Sequence, residues 1–248
     1  MANRTVAMES GQGGLGFVPV ARNRKLEHRF YAGMAFAISV GVFAGFARTY
    51  YAKSYFHTPA IPLWVHIHGA VFTAWTLFYL LQNLLAMNGG MKLHRKLGIT
   101  GGVLAAGVVF LGSAIALRQA RQGRFFPFPD AASLLAVSFA QMFLFAVFIS
   151  LGLWLRRDSE THKRLILMAN QLFFFPAFGR LLHGINATTL AIALCFYVAG
   201  PVYDLVTRRN VHPAYRWGVP LLILTMPPFM VIASQSGPWH SLVDRLVS

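Results

Sequence analysis

Long apolar runs alternate with short polar or basic segments along most of the chain. A helix needs about 20 apolar residues to cross the hydrocarbon core of a bilayer, and the pattern predicts seven such spans. They are residues 30–48, 62–87, 97–117, 131–155, 163–183, 187–207 and 217–236. These runs are too long for barrel strands and do not alternate at every second residue. We therefore expect an all-α integral membrane bundle of seven transmembrane helices.

The composition agrees with a membrane environment. Hydrophobic residues make up 56% of the chain and charged residues 12%, and the mean hydropathy is +0.54, outside the range of soluble globular domains. A net charge of +15 would suggest nucleic acid as a partner of a soluble protein. Here the Lys and Arg residues lie in short clusters between apolar runs, where they set membrane orientation. We expect the lipid bilayer as the surroundings and no nucleic-acid partner.

The basic residues also predict the orientation. Fifteen of the 22 Lys and Arg residues fall on one side of the seven predicted spans. Because cytoplasmic loops carry the excess of positive charge, the N-terminus is expected inside and the C-terminus outside. Residues 1–29 are polar and basic, and we expect a flexible cytosolic tail there and a transmembrane domain over residues 30–248. A single cysteine, Cys195, excludes an intramolecular disulfide.

Histidines are the most informative polar residues in this chain. The chain has nine of them against seven acidic residues, and ionisable groups within a membrane are costly and often functional. On the expected outer side, His66 and His68 project about 200° apart on a helix. His68 shares its face with Trp75, Tyr79 and Gln82, a polar stripe that should face the bundle interior. His68 is therefore the preferred cofactor ligand.

The fifth predicted span ends with a second outer histidine. Arg180 and His183 lie on neighbouring positions of one face, at a depth similar to that of His68. A pair formed by His68 and His183 suits a b-type haem with two histidine ligands, with Arg180 binding a propionate. Copper or zinc bound by His66, His68 and His183 is an alternative, because imidazole suits both metals. The remaining alternative is that these are interfacial histidines that bind backbone, water or lipid phosphate.

Two further histidines lie on the expected inner side. His94 precedes the third span and His162 begins the fifth, and each is followed at once by basic residues. A second haem or a metal between them is one interpretation, since the small face formed by His94, Gly98, Gly101 and Ala105 leaves room for a flat macrocycle. The other interpretation is an ordinary anchor at the lipid headgroups.

Several other polar residues fall within the predicted spans. Gln82 and Asn170 are amides that either hydrogen-bond across helices as structural contacts or line a quinone pocket. Asp204, near the inner end of the sixth span, is expected to pair with a loop arginine such as Arg208. The chain carries no motif typical of a hydrolase, a zinc protease or an ATPase.

The motifs HIHGAVFTAW, LHRKLG, THKRLILM, FPAFGRL and YDLVTRRNVHPAYRWG occur between residues 60 and 220. With them the chain resembles a group of uncharacterised bacterial seven-span proteins, which implies a multi-pass protein of the bacterial inner membrane. In its helix-end histidines it is more loosely similar to transmembrane cytochromes b that carry two haems. Our leading expectation is thus a membrane redox protein that binds b-type haem and exchanges electrons with quinone. The alternatives are copper or zinc binding, or an accessory or assembly subunit that docks a membrane-complex partner without binding a cofactor.

Overall fold

The structure is a computed structural model that describes residues 24–57 and 60–248. Most of the predicted tail, residues 1–23, lies outside the described residues. The described part of the chain forms ten α-helices and contains no β-strand. They are α1 (Arg24–Phe46), α2 (Leu63–Met87), α3 (Met91–Arg121), α4 (Ala131–Trp154), α5 (Ser159–Gln171), α6 (Phe174–Leu181), α7 (Ala187–Arg208), α8 (Pro213–Leu224), α9 (Pro227–Ala233) and α10 (Gly237–Val247).

The expectation of an all-α membrane protein is confirmed in its coarse form. Five helices are long and apolar enough to cross a bilayer: α1 with the π-helical turn Ala47–Tyr51 that extends it, α2, α3, α4 and α7. The pair α8–α9 makes a sixth if its two parts, bent by 63°, count as one span. The first helix begins at Arg24, so residues 24–29, which the composition assigned to the tail, are helical.

The fifth predicted span is broken into α5 and α6. Pro176 is the physical reason, because it has no N–H to donate to the carbonyl of Leu172 one turn earlier. The α-helix ends at Gln171 and resumes at Phe174. The break between α8 and α9 has the same origin, since Pro227 begins α9 directly after the bend.

Helix α10 was not predicted. Its 11 residues are too few and too polar for a search for apolar spans to find. The indole Nε1 of Trp239 donates to the carbonyl of Ala132 at 2.9 Å, and Arg121 Nε donates to the carbonyl of Leu246 at 2.8 Å. Helix α10 therefore packs where α3 ends and α4 begins.

Polar contacts mark the two ends of the bundle. At one end, here called the Glu27 end, Glu27 at the start of α1 forms ion pairs with Lys163 of α5 and Arg208 of α7. At the opposite end, the Arg48 end, Nη1 of Arg48 donates to Nε2 of His183 just after α6, at 3.0 Å. The α5–α6 pair thus runs from the Glu27 end to the Arg48 end even though it is broken.

Helices α1 and α6 approach each other closely at two small residues. A Cβ added at Gly41 would lie 2.8 Å from the ring of Phe178, and one at Gly45 would collide with the carbonyl of Ala177. Only glycine permits this contact, because any side chain would push the helices apart. The tight packing places α6 against the end of α1.

A buried ion pair joins α5 to α7. Arg164 and Asp204 are both fully buried, and the guanidinium donates through Nε and Nη2 to the two carboxylate oxygens at 2.9 and 2.5 Å. This bidentate geometry is the strong form of an ion pair. Arg208, the partner expected for Asp204, also forms an ion pair with it, at the longer distance of 3.7 Å. Glu160 completes the cluster through Arg164 Nη1 at 3.0 Å.

Removal of the Arg164 guanidinium should therefore leave the buried carboxylate of Asp204 without its bidentate partner. We expect Arg164→Met to lower the free energy of unfolding by about 3–5 kcal/mol, the usual cost of breaking a buried pair. The measurement is unfolding of the detergent-purified protein followed by circular dichroism. Arg157→Met, which changes an exposed arginine, is the matched control and should stay near the wild type. Equal stability of the two variants would contradict the structural role of the pair.

Candidate functional site

Helix α2 presents the face that the sequence predicted. Its buried residues are Trp75, Thr76, Tyr79 and Gln82. His68 is half-buried on the same face and contacts Phe72, with ring centroids 4.1 Å apart and ring planes tilted by 36°. His66 is exposed and lies beside Tyr50. His68 is therefore more buried than His66, and its role as a ligand stays a prediction.

The structure gives no contact that joins His68 to the other expected outer ligand. His183 is exposed, and its Nε2 lone pair accepts the hydrogen bond from Arg48. Arg180 lies over the ring of Phe46, at 4.6 Å from guanidinium carbon to ring centroid, and donates to the carbonyl of Pro176. Haem binding by His68, His183 and Arg180 stays a prediction.

A copper or zinc site formed by His66, His68 and His183 requires the three side chains to lie close together. Within residues 24–57 and 60–248, no three His, Cys, Asp or Glu side chains come close enough to hold a metal ion. The structure therefore does not bring His66, His68 and His183 together as a three-ligand site for copper or zinc.

The expected inner pair, by contrast, is brought together. His94 lies in the first turn of α3 and His162 in the first turn of α5. Their ring centroids are 6.3 Å apart and the ring planes are perpendicular, at 90°. Two imidazoles that are distant in the sequence thus face a common space at the Glu27 end.

Local structure explains how each imidazole reaches this place. A tight turn joins α2 to α3, with Gly89 at φ +80°, a conformation that favours glycine. This turn folds His94 back against the last turns of α2. Asp158 caps the start of α5 by accepting hydrogen bonds from the backbone N–H groups of Glu160 and Thr161. The cap fixes the first turn of α5, and with it His162.

Backbone carbonyls fix the tautomer of both histidines. Nδ1 of His94 bonds to the carbonyl of Gln82 at 3.2 Å, and Nδ1 of His162 bonds to the carbonyl of Gly152 at 2.7 Å. Because a carbonyl only accepts, each Nδ1 must be the donor, and Nε2 of the neutral ring keeps its lone pair. Among the described residues no group hydrogen-bonds to either Nε2 atom. Histidines that hold a metal or a substrate are commonly anchored in this way.

A cleft lies beside the two imidazoles, and we call it the histidine cleft. Its two lobes share the lining residues Tyr79, Gln82, His94, His162 and Ile166. The polar lobe, of about 150 Å³, is also lined by the polar or charged residues Glu27, His28, Tyr31, Asn83, Ser159 and Lys163 and by Ala86 and Met91. The apolar lobe, of about 70 Å³, is also lined by Trp75, Phe78, Gly98, Gly101, Ile149 and Leu153. The cleft is therefore amphipathic, with the histidines at the junction of its lobes.

Gln82 is the polar group in this cleft that most clearly lacks a partner. Its side chain is 8% exposed, and neither its Oε1 nor its Nε2 atom finds a hydrogen-bond partner among the described residues. Asn170 differs, because its amide oxygen accepts from Trp75 Nε1 at 2.9 Å and its nitrogen donates to the carbonyl of Ile166. Since buried polar groups are nearly always paired, Gln82 indicates a ligand.

The charged residues at the edge of the polar lobe are compensated. Lys163 Nζ lies 2.5 Å from Glu27 Oε1 and 2.7 Å from Glu160 Oε1. The cleft therefore favours a neutral polar ligand over an anion. The sequence did not predict Glu27 as part of this site because it assigned that residue to the tail. Tyr31, four residues later on the same helix face, was the available signal, since it continues a buried stripe.

The missing partners of Gln82 have a measurable consequence for stability. In ligand-free protein we expect Gln82→Leu to raise the free energy of unfolding by about 1–3 kcal/mol, because it removes the penalty for an unpaired buried amide. Asn170→Leu, the matched control, should lower it, because it breaks bonds that are made. Thermal unfolding in one detergent compares the two variants. A loss of stability in Gln82→Leu as large as that in Asn170→Leu would contradict the unpaired state.

Comparison of the chain with known protein families, curated proteins and solved structures found no match. The function therefore has to be inferred from the geometry of the histidine cleft, above all from His94, His162 and Gln82.

Proposed function

We propose that the chain is an integral membrane redox protein that binds the headgroup of a quinone in the histidine cleft, where a redox centre of a membrane-complex partner exchanges electrons with it. One observation carries the proposal. The Nε2 atoms of two imidazoles and the amide of Gln82, none of which has a hydrogen-bond partner among the described residues, line the same cleft. The cleft has a polar and an apolar part, and a quinone likewise combines polar carbonyl groups with an apolar ring.

The chemistry of a quinone matches these groups. Its carbonyl oxygens accept hydrogen bonds, which Nε2 of Gln82 can donate, and the hydroxyls of the quinol donate to groups such as Oε1 of Gln82. Oxidation of the quinol releases two electrons to a redox centre of a membrane-complex partner and two protons. The Nε2 lone pairs of His94 and His162 accept these protons, since imidazole is the usual proton acceptor near neutral pH.

The size of the polar lobe supports a ligand with one ring. Its volume is about 150 Å³, and an engineered apolar cavity of about 150 Å³ in another protein binds benzene. Sites for larger drug-sized ligands have volumes of about 300–1,000 Å³. The polar lobe thus has room for a single ring.

A b-type haem ligated by His94 and His162 is the second candidate. The observation that favours it is the 6.3 Å between ring centroids. With metal–nitrogen bonds of about 2.0 Å, imidazoles facing each other across a metal have ring centres roughly 6 Å apart. Such a haem would supply one-electron transfer. The two lobes, of about 150 and 70 Å³, are too small for the macrocycle, so no step is assigned to it.

The proposal includes the expected topology, seven spans in a bacterial inner membrane with the N-terminus inside and the C-terminus outside. Three observations support it. The α5–α6 pair runs between the Glu27 end and the Arg48 end. Helix α10 packs against the end of α3, which is opposite the end that holds His94. Basic residues concentrate on the expected cytoplasmic side.

Reporter fusions test this topology. We expect alkaline phosphatase fused after Ser248 to be active, because it would reach the periplasm, and green fluorescent protein at the same position to stay dark. Fusions after Arg209, at the Glu27 end, should give the reverse pattern. Phosphatase activity after Arg209 without activity after Ser248 would contradict the orientation.

Ligand binding tests the function. We expect detergent-purified protein to bind a benzoquinol without a tail, kept in the reduced form, and His94→Ala and His162→Ala each to weaken this binding by about tenfold, because each variant removes the Nε2 acceptor of one good hydrogen bond from a quinol hydroxyl. His183→Ala, which changes the histidine bound to Arg48, is the control and should leave the Kd unchanged.

Absorption spectra of the oxidised and dithionite-reduced protein separate the alternatives. A stoichiometric Soret band that disappears in His94→Ala would favour haem over quinone as the ligand of the cleft. The absence of quinone binding, haem and metal would contradict the redox proposal and leave an accessory or assembly subunit.

A further inference from the structure

We infer that the quinone bound in the histidine cleft carries a long apolar tail, which reaches the lipid through the apolar lobe beside Gly98. The inference rests on the proposed function, since it places the headgroup in the polar lobe. It adds the class of substrate, a prenylated quinone that enters from the membrane, and it assigns Gly98 as the residue that determines access for the tail.

The apolar lobe has the chemistry of a hydrocarbon channel. Besides the residues shared with the polar lobe, its lining side chains are apolar: Trp75, Phe78, Ile149 and Leu153. Its volume of about 70 Å³ is half that of the polar lobe and accommodates a short stretch of chain rather than a second ring. Burial of an apolar substituent against such a lining is favourable, because it removes apolar surface from water.

Two glycines of α3 line this lobe, and the structure distinguishes them. A Cβ added at Gly101 would lie 2.6 Å from the ring of Phe78, so this glycine permits close helix packing. A Cβ added at Gly98 would meet nothing within 4 Å. Gly98 is therefore bordered by open space within the lining of the cleft.

The open space at Gly98 leads toward the surface of the bundle. Gly98 itself, Phe78 and Leu153 are only partly buried. The next residue, Ile99, is 81% exposed and apolar, as expected for a side chain in contact with lipid. A tail that follows the apolar lobe past Gly98 would thus enter the hydrocarbon phase directly.

The position of Gln82 indicates that one ligand extends into both lobes. Its buried amide lines each of them and has no partner in the described part of the chain. A headgroup that binds Gln82 from the polar lobe therefore has the edge that carries the bonded oxygen at the entrance to the apolar lobe. The substituent on that edge is the tail.

Substitution of Gly98 by leucine tests the inference without a clash in the backbone. The open space accepts the side chain, and leucine favours a helix more than glycine does. Gly33→Leu is the matched control, because a Cβ at Gly33 also meets nothing within 4 Å and this residue is exposed on α1 outside the cleft.

The experiment measures the Kd of two quinones with the same headgroup, one without a tail and one with a prenyl tail, in a single detergent. We expect the wild type and Gly33→Leu to bind the tailed quinone more tightly than the one without a tail. Gly98→Leu should weaken binding of the tailed quinone at least tenfold and change binding of the other less than twofold.

Two results would overturn the inference while leaving the proposed function intact. One is unchanged binding of the tailed quinone by Gly98→Leu, and the other is an equal loss for both quinones. Failure of the wild type to bind the quinone without a tail would instead overturn the proposed function, and the inference with it.

Discussion

The ion pair between Arg164 and Asp204 fixes the short helix α5, on which the site depends. Helix α5 has 13 residues, too few to cross a bilayer alone, so contacts with its neighbours must set its position. Arg164 anchors it to α7, and Lys163 anchors it to Glu27 of α1. His162 precedes these two residues in the same turn. The distance between His162 and His94 therefore depends on these ion pairs, because buried charges are costly to separate.

The histidine cleft combines groups that are paired with groups that are not. The Nδ1 atoms of both histidines are bonded to backbone carbonyls, whereas their Nε2 atoms and the amide of Gln82 have no partner in the described residues. The paired side holds the rings in place, and the unpaired side is available to a ligand. An unpaired buried amide lowers the stability of the free protein. Such a loss is expected at a functional site, where binding restores the missing bonds.

Much of the fold could be predicted from the sequence, because lipid imposes helices of known length on apolar runs. The predicted limits of α2 and α4 agree with the structure to within one residue. The extent of the break before Pro176 could not be predicted, because a proline in a membrane helix either kinks it or ends it, depending on its neighbours. Helix α10 is held by tertiary contacts of Trp239 and Arg121 that no local pattern reveals.

The site was predictable in part. Spacing alone showed that His68 and Gln82 share a face, and position at helix ends suggested that His94 and His162 meet. No local pattern distinguishes Gln82 from Asn170, since both are amides within apolar helices. Only the neighbours differ, because Trp75 binds Asn170 and no described residue binds Gln82.

The backbone conformation of His183 could not be predicted from the sequence either. This residue adopts a left-handed conformation with φ 59° after α6 ends, and its ring contacts Arg48. A non-glycine residue rarely adopts this conformation, so a regular helical projection that placed His183 beside Arg180 did not anticipate it.

The most direct test of the cleft as a quinone site is chemical analysis of what the protein carries from its own membrane. Protein purified in mild detergent would be extracted with organic solvent, and quinone would be quantified against protein by mass spectrometry. Near-stoichiometric quinone in the wild type, with most of it lost in a folded Gln82→Leu variant, is the predicted result. The same trace amount of quinone in both proteins would contradict the assignment of the cleft.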